Sequence, residues 1–204
     1  MDTENIATKY KEQGNKEFKN GNYTQAIEHY TKAIAQQKEK TFYTNRATCF
    51  FHLEKYNKCV SDCNEAIALD PTFGKAYYRK ADALMTMGKI QEAVETMNRA
   101  IELKADDENM RKKLNEAKIQ LSYYSDYQVA WEKRDYDTCI RKIDCLLEKC
   151  SKSRDLILKK MEILAYQGKG TEALELVNKH KLEFADDSEF KWLTGLIYVY
   201  KGNT

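Results

Sequence analysis

Helix breakers and charge of a single sign are what this chain has least of. Pro71 is the one proline in 204 residues, and there are eight glycines. That is too few to interrupt long helices, and it suits a mostly helical protein joined by short turns. Long apolar runs are missing as well: none approaches the roughly 20 residues of a membrane span, and the N-terminal stretch holds no signal-peptide core. The formal net charge is only +2. Residues 1–105 hold 16 basic against 14 acidic side chains and the remainder 18 against 18, so neither half is basic enough for a general nucleic-acid or membrane-surface binder. Cys49, Cys59, Cys63, Cys139, Cys145 and Cys150 follow no paired framework and no zinc-type spacing. Reduced thiols in a cytoplasmic protein are the expectation.

Catalytic signatures are also lacking. His29, His52 and His180 lie far apart in the chain, none with the serine, cysteine and carboxylate pattern that builds a triad. Cys59 and Cys63 stand four residues apart and could share a metal, but a third ligand is missing. No glycine-rich phosphate loop occurs, and the 14 tyrosines make no stacking platform for bases. The chain is expected to have no enzymatic activity, no catalytic residue, no metal site and no cofactor.

What the chain does have is a repeat. Gly21-Asn22-Tyr23-Thr24-Gln25-Ala26-Ile27-Glu28-His29-Tyr30-Thr31-Lys32-Ala33-Ile34 is the clearest copy. It recurs from Glu54-Lys55-Tyr56 to Ala66-Ile67, from Gly88-Lys89-Ile90 to Ala100-Ile101, from Arg134-Asp135-Tyr136 to Leu146-Leu147, and again from Gly168. With Ala26 at repeat position 20, the repeats begin at 7, 40, 74, 120, 154 and 188. Small residues then align. Position 8 reads Gly14, Ala47, Ala81, Tyr127, Met161 and Gly195; position 20 reads Ala26, Cys59, Ala93, Cys139 and Ala173; position 27 reads Ala33, Ala66, Ala100, Leu146 and His180. Small side chains there let two antiparallel helices approach closely, with position 24 (Tyr30, Cys63, Met97, Ile143, Val177) filling the gap.

A period of about 34 residues with this pattern resembles the tetratricopeptide repeat, a helix–turn–helix unit. The resemblance implies an all-α fold: a right-handed superhelical solenoid of antiparallel A and B helices, about five and a half repeats long, with A helices lining a groove. It is strong in repeats one to three and weaker in four to six, where bulky residues replace small ones. Between repeats three and four the interval is 46 residues. The extra segment holds no proline or glycine, and Met110, Leu114, Ala117 and Leu121 keep a helical apolar stripe. Residues 1–106 are therefore read as three repeats and residues 107–134 as one long linker and capping helix that opens repeat four. Residues 135–204 are the rest of a second array, with a fixed orientation between the arrays as the expectation. Repeat six is expected to stop after its A helix, leaving the chain truncated within a repeat.

Lys11 and Asn15 are four residues apart, as are Lys75 and Arg79, so each pair shares a helical face. With Asn45 they would set two ammonium groups, a guanidinium and two amides around one groove, which suits a small dianion such as a C-terminal aspartate. Taken singly, each is an ordinary surface side chain; the conjunction at set repeat positions carries the reading. Lys11-Glu12-Gln13-Gly14-Asn15-Lys16, Tyr43-Thr44-Asn45-Arg46-Ala47 and Gly74-Lys75-Ala76-Tyr77-Tyr78-Arg79-Lys80-Ala81 resemble the dicarboxylate clamp of chaperone-binding tetratricopeptide proteins. The resemblance implies a monomeric co-chaperone adaptor that grips the C-terminal Glu-Glu-Val-Asp tail of heat-shock protein 70 or heat-shock protein 90. Phe18, Thr48, Phe51, His52 and Thr86 are candidate contacts for upstream residues of that tail, or packing residues. One departure from the family pattern is the segment between repeats one and two, one residue short and without Asp-Pro.

The second array holds Tyr124, Gln128, Lys159, Glu189 and Leu193 at the equivalent positions, and Glu189 would repel a carboxylate. Trp131-Glu132-Lys133-Arg134-Asp135-Tyr136-Asp137 and the two-array layout are similar to the N-terminal repeats of DnaJ-type co-chaperones of the subfamily C member 7 kind. No His-Pro-Asp tripeptide, the mark of a J domain, occurs in the chain. Two alternatives stay open: a scaffold whose main partner docks on the second array, and the targeting domain of a longer enzyme.

Overall fold

The computed structural model describes residues 3–202, and among them eleven α-helices follow one another with no strand. They are α1 (Thr3–Lys19), α2 (Tyr23–Gln36), α3 (Lys40–His52), α4 (Tyr56–Leu69), α5 (Gly74–Thr86), α6 (Ile90–Glu102) and α7 (Glu108–Glu132), followed by α8 (Tyr136–Leu147), α9 (Arg154–Tyr166), α10 (Gly170–His180) and α11 (Ser188–Gly202). None is long and apolar enough to cross a membrane. Consecutive helices pack as antiparallel pairs. The chain divides into two compact units: unit 1 runs to Met85 and includes Lys89–Lys118, and unit 2 holds Thr86–Gly88 and everything from Ile119.

The repeat is written most plainly in its turns. Gly21, Glu54, Gly88, Arg134 and Gly168, all at one repeat position, have φ of 78, 56, 77, 56 and 70°. The next residue's N–H reaches back over the helix end: Asn22 to the Phe18-preceding carbonyl of Glu17, Lys55 to Phe50, Lys89 to Leu84, Asp135 to Ala130 and Lys169 to Leu164, at 2.8–2.9 Å. This is the Schellman closure, which needs a left-handed residue and favours glycine. Glu54 and Arg134 adopt it without being glycine, so the helix pairing overrides their local preference.

Small residues then set how closely the pairs approach. Ala26, Cys59, Ala93, Cys139 and Ala173 are all fully buried, as are Ala33, Ala66 and Ala100. Gly14 shows why repeat one needs glycine at position 8: an added Cβ would stand 2.7 Å from the ring of buried Tyr30. Gly74 opens α5 under a tighter constraint, since a Cβ there would fall 2.0 Å from the carbonyl oxygen of Ala105. Unit 1 is thus packed around alanines, cysteines and a few large rings such as Tyr30 and Phe42. In unit 2 larger aliphatics do this work: Ile157, Leu158, Met161, Leu164, Val177, Leu193 and Ile197 form one core with Phe190. Each such side chain contributes about 1.5–3 kcal/mol on burial.

Helix α7 has 25 residues without a break. Met110, Leu114 and Ala117 are buried as the apolar stripe requires, but the stripe does not pass through Leu121, which is half-buried. Gln120 is buried instead, its Oε1 accepting a bond from the Cys150 Sγ at 3.5 Å. A buried amide is tolerated because it finds a partner.

Candidate functional site

Three helices of unit 1 bring the sequence-predicted residues together. Asn45 and Thr48 on α3 and Lys75 and Arg79 on α5 line one cavity of about 620 Å³, closed by Thr44, Tyr78 and the start of α7 at Asn109 and Met110. Asn15 on α1 joins its edge: the Asn45 Nδ2 donates to the Asn15 Oδ1 at 3.3 Å. That same oxygen accepts from the Tyr30 hydroxyl at 2.8 Å. Both acceptor sites of the Asn15 carbonyl are then occupied, which leaves its NH₂ as the donor end. Burial pushes the Tyr30 hydroxyl well above its ordinary pKa, so it remains a donor. Lys11 sits one turn before Asn15 on α1, outside the lining of the cavity.

Of the acids on or beside this cavity, Asp82 and Asp106 are paired with cations and Asp107 caps a helix. The Arg79 Nη1 donates to the Asp82 Oδ2 at 3.3 Å, and the Lys113 Nζ donates to the Asp82 Oδ1 at 2.5 Å. The Asp106 carboxylate takes the Arg111 Nε at 2.5 Å, and the Asp107 Oδ1 caps α7 by accepting from the Met110 N–H at 2.8 Å. The Arg79 guanidinium lies 5.0 Å over the Phe51 ring, a position that fixes it without consuming its donors. Lys75 is exposed and has no hydrogen bond or ion pair among the described residues. An ammonium, a guanidinium fork and amide donors can hold an anion.

The remaining candidates part ways. Thr48 is on the cavity with its hydroxyl bound to the Thr44 carbonyl at 2.8 Å, and Phe51 lies beneath Arg79. Phe18 packs with Ala26, Tyr30 and Cys49. His52 stacks on Tyr23 at 4.6 Å, meets Phe18 edge-on at 5.6 Å and Phe51 edge-on at 6.4 Å, and does not itself line the cavity. Thr86 ends α5 and is also outside that lining.

Tyr30, Asp82, Lys113 and Asn109 are site residues that motif reading overlooked. Asp82 was detectable three residues after Arg79 on one helix. The Tyr30 hydroxyl was not, because its aromatic body satisfies a packing position by itself. Burial pushes Cys49 up to about 12 and Cys150 up to about 11, which keeps both as thiols. Among the described residues no three of histidine, cysteine, aspartate and glutamate gather to hold a metal.

In unit 2, the equivalent positions Tyr124, Lys159 and Glu189 line a hollow of about 280 Å³, whereas Leu193 is buried and Gln128 is exposed outside it. The Lys159 Nζ bonds the Glu162 Oε2 at 2.8 Å and lies 5.4 Å over the Trp131 ring.

Comparison with known proteins places this geometry among relatives. The tetratricopeptide repeat profile matches residues 41–73 and again residues 74–107. RNA polymerase II-associated protein 3 of Mus musculus is 41% identical over 111 residues, which are 52% of this chain and 17% of that protein. DnaJ homolog subfamily C member 7 of Homo sapiens is 25% identical over 96% of this chain and 40% of its own length. The chain therefore spans less than half of either full-length relative. Among solved structures, the P58(IPK) tetratricopeptide domain superposes with a TM-score of 0.82 at 23% identity, covering 97% of this chain and 56% of that one, which speaks to the fold alone. The first tetratricopeptide domain of Spaghetti (RPAP3), bound to the HSP90 peptide SRMEEVD, is 35% identical with a TM-score of 0.55. It is covered over 98% of its length by 58% of this chain. The recurring left-handed turn, the small-residue contacts and a relative matched over nearly its whole length agree, and the chain belongs to the tetratricopeptide-repeat family.

Proposed function

We propose that the groove of unit 1 binds the C-terminal Glu-Glu-Val-Asp tail of heat-shock protein 70 or heat-shock protein 90, and that the chain serves as a cytoplasmic co-chaperone adaptor. The observation that carries this is the convergence of Asn45, Lys75 and Arg79 on one cavity, with Asn15 hydrogen-bonded to Asn45 at its edge. A terminal aspartate offers two carboxylates a few bonds apart. Lys75 and Arg79 supply charge-assisted bonds to it, Asn15 and Asn45 supply amide donors, and Lys11 adds a cation on the α1 side. Support also comes from the RPAP3 domain, whose bound peptide ends in this tetrapeptide.

The test is calorimetry with a peptide ending in Glu-Glu-Val-Asp, as the free acid and as the C-terminal amide. Amidation removes one carboxylate and should weaken binding by about 10- to 100-fold, the equivalent of roughly 1.5–3 kcal/mol for a charged hydrogen bond. Equal affinity for acid and amide overturns the reading.

A further inference from the structure

The apolar side chains left in solvent are distributed very unevenly. Of the ten large ones exposed among the described residues, Leu69 is the one that belongs to unit 1. Scattered singly, such residues need no explanation; gathered on one face, they do. In unit 2 a row of rings crosses three helices. Tyr124 and Tyr127 are 5.8 Å apart, Tyr127 and Trp131 6.4 Å, Trp131 and Tyr136 6.1 Å, and Tyr136 and Tyr166 6.2 Å. Tyr124 and Tyr166 at its two ends are 38% and 48% exposed.

Helix α11 extends this face. Glu189, Trp192, Leu196 and Val199 recur at intervals of three and four residues and so share one side of it. The Glu189 end is fixed to α9 by the Arg154 Nη2, which donates to the Glu189 Oε2 at 3.0 Å. Because consecutive helices are antiparallel, α9 and α11, which pack together, run the same way, and on the Glu189 side of α11 Trp192 and Val199 are both 61% exposed.

The charges on this face show what kind of group it takes. Arg154 and Lys159 are the cations, against the carboxylates of Asp155, Glu162, Asp187 and Glu189. Arg154 is bonded to three of these acids at once, and the side chains of Asp155 and Glu189 remain 87% and 53% exposed. The chain also demonstrates the contact within itself: the Lys159 ammonium sits over Trp131 while bonded to Glu162. Aromatic faces beside surplus carboxylates favour a cation with an apolar stem and disfavour acidic groups.

We propose that the α7–α9–α11 face of unit 2 docks an apolar partner segment bearing lysine or arginine, opposite in charge to the acidic tail assigned to unit 1. This does not depend on the unit 1 reading. The test uses the full chain carrying Lys75→Ala and Arg79→Ala, so that the unit 1 groove contributes nothing, panned against a random-peptide phage library. Enriched sequences should pair large apolar residues with lysine or arginine. Their synthetic peptides should bind about fivefold more weakly to a chain with Asp155→Asn and Glu189→Gln. Tyr166→Ser with Trp192→Ser should abolish binding, with helical circular dichroism unchanged in both variants. Enrichment of acidic sequences, no enrichment over an unrelated control protein, or peptides indifferent to both variants overturns the proposal. So does a concentration-dependent dimer in sedimentation that Trp192→Ser dissolves, because the face would then be covered by a second copy.

Discussion

Units 1 and 2 use the same turns and the same helix pairing, yet their A helices finish with opposite residues of charge. In unit 1 Asp82 takes Arg79 and Lys113, Asp106 takes Arg111, and Lys75 is left without an ion pair among the described residues. In unit 2 the cations are satisfied: Lys159 is held by Glu162, and Arg154 by Asp155, Asp187 and Glu189. The contrast lies in a few positions. Where unit 1 has Lys75 and Arg79, unit 2 has Glu189 and Leu193; where unit 1 has Lys11 and Asn45, unit 2 has Tyr124 and Lys159. Packing positions build a groove, and what remains unpaired on its wall decides what the groove attracts.

The largest expected effect separates the two grooves directly. Arg79→Ala should weaken binding of a Glu-Glu-Val-Asp peptide by about 10- to 100-fold in calorimetry. Lys159→Ala, a cation removed from the other groove, should leave that affinity unchanged. Equal losses would mean that binding follows overall charge and that the two grooves are not distinct.

Glycine at repeat position 8 gives the next comparison. Gly14→Ala drives a methyl into the Tyr30 ring and should destabilise by about 1–3 kcal/mol, as overpacked cores do. Gly195, at the same repeat position in α11, has nothing within 4 Å of an added Cβ. Gly195→Ala should therefore stabilise by roughly 0.8–1 kcal/mol through helix propensity. Opposite shifts in denaturation midpoint are expected; shifts of one sign would mean that the position acts through helix propensity alone or packing alone.

The turns supply a smaller pair. Arg134 holds φ of 56° without being glycine, whereas Gly168 holds 70° at the next repeat's turn. Arg134→Gly should gain about 1 kcal/mol and Gly168→Ala should lose a similar amount, read as melting temperature.

Acid should reach both units by the same route. Asp70, bonded to Lys40 and Thr72, is lowered from the ordinary 3.8 to about 2, and Asp187, bonded to Arg154 and the Phe190 N–H, is lowered equally to about 2. A carboxylate with a depressed folded-state pKa stabilises above its ordinary value and loses that contribution as pH falls through the lowered one. Asp70→Asn and Asp187→Asn should each flatten the fall in melting temperature between those two values, as measured by circular dichroism. An unaltered acid slope in either variant would show that the pair is too exposed to contribute there.

Several of these elements could be read from the chain and others could not. Gly21, Gly88 and Gly168 announce left-handed turns, but Glu54 and Arg134 occupy the same conformation only because their helix pairs demand it. Met110, Leu114 and Ala117 follow the expected stripe of α7. Beyond them Gln120 displaces Leu121 from the interior, because Cys150 stands there to satisfy its amide. Of the proposed clamp, the identity and spacing of all five residues were legible. The Asn15–Asn45–Tyr30 hydrogen bonds and the Asp82–Lys113 contact were not, since each joins residues at least fifteen positions apart.

By itself the sequence determined the repeat and its period. These depend on local periodicity and on small residues at fixed intervals, both of which are one-dimensional signals. Tertiary structure decided which charges are spent on one another and which remain. It tied Arg79 to an aspartate that Lys113 also holds, made the Asn15 amide oxygen the acceptor for both Tyr30 and Asn45, and set Lys159 over Trp131. Charge pairing falls off over a few ångströms of space, and the chain brings such groups together only when the helices are packed.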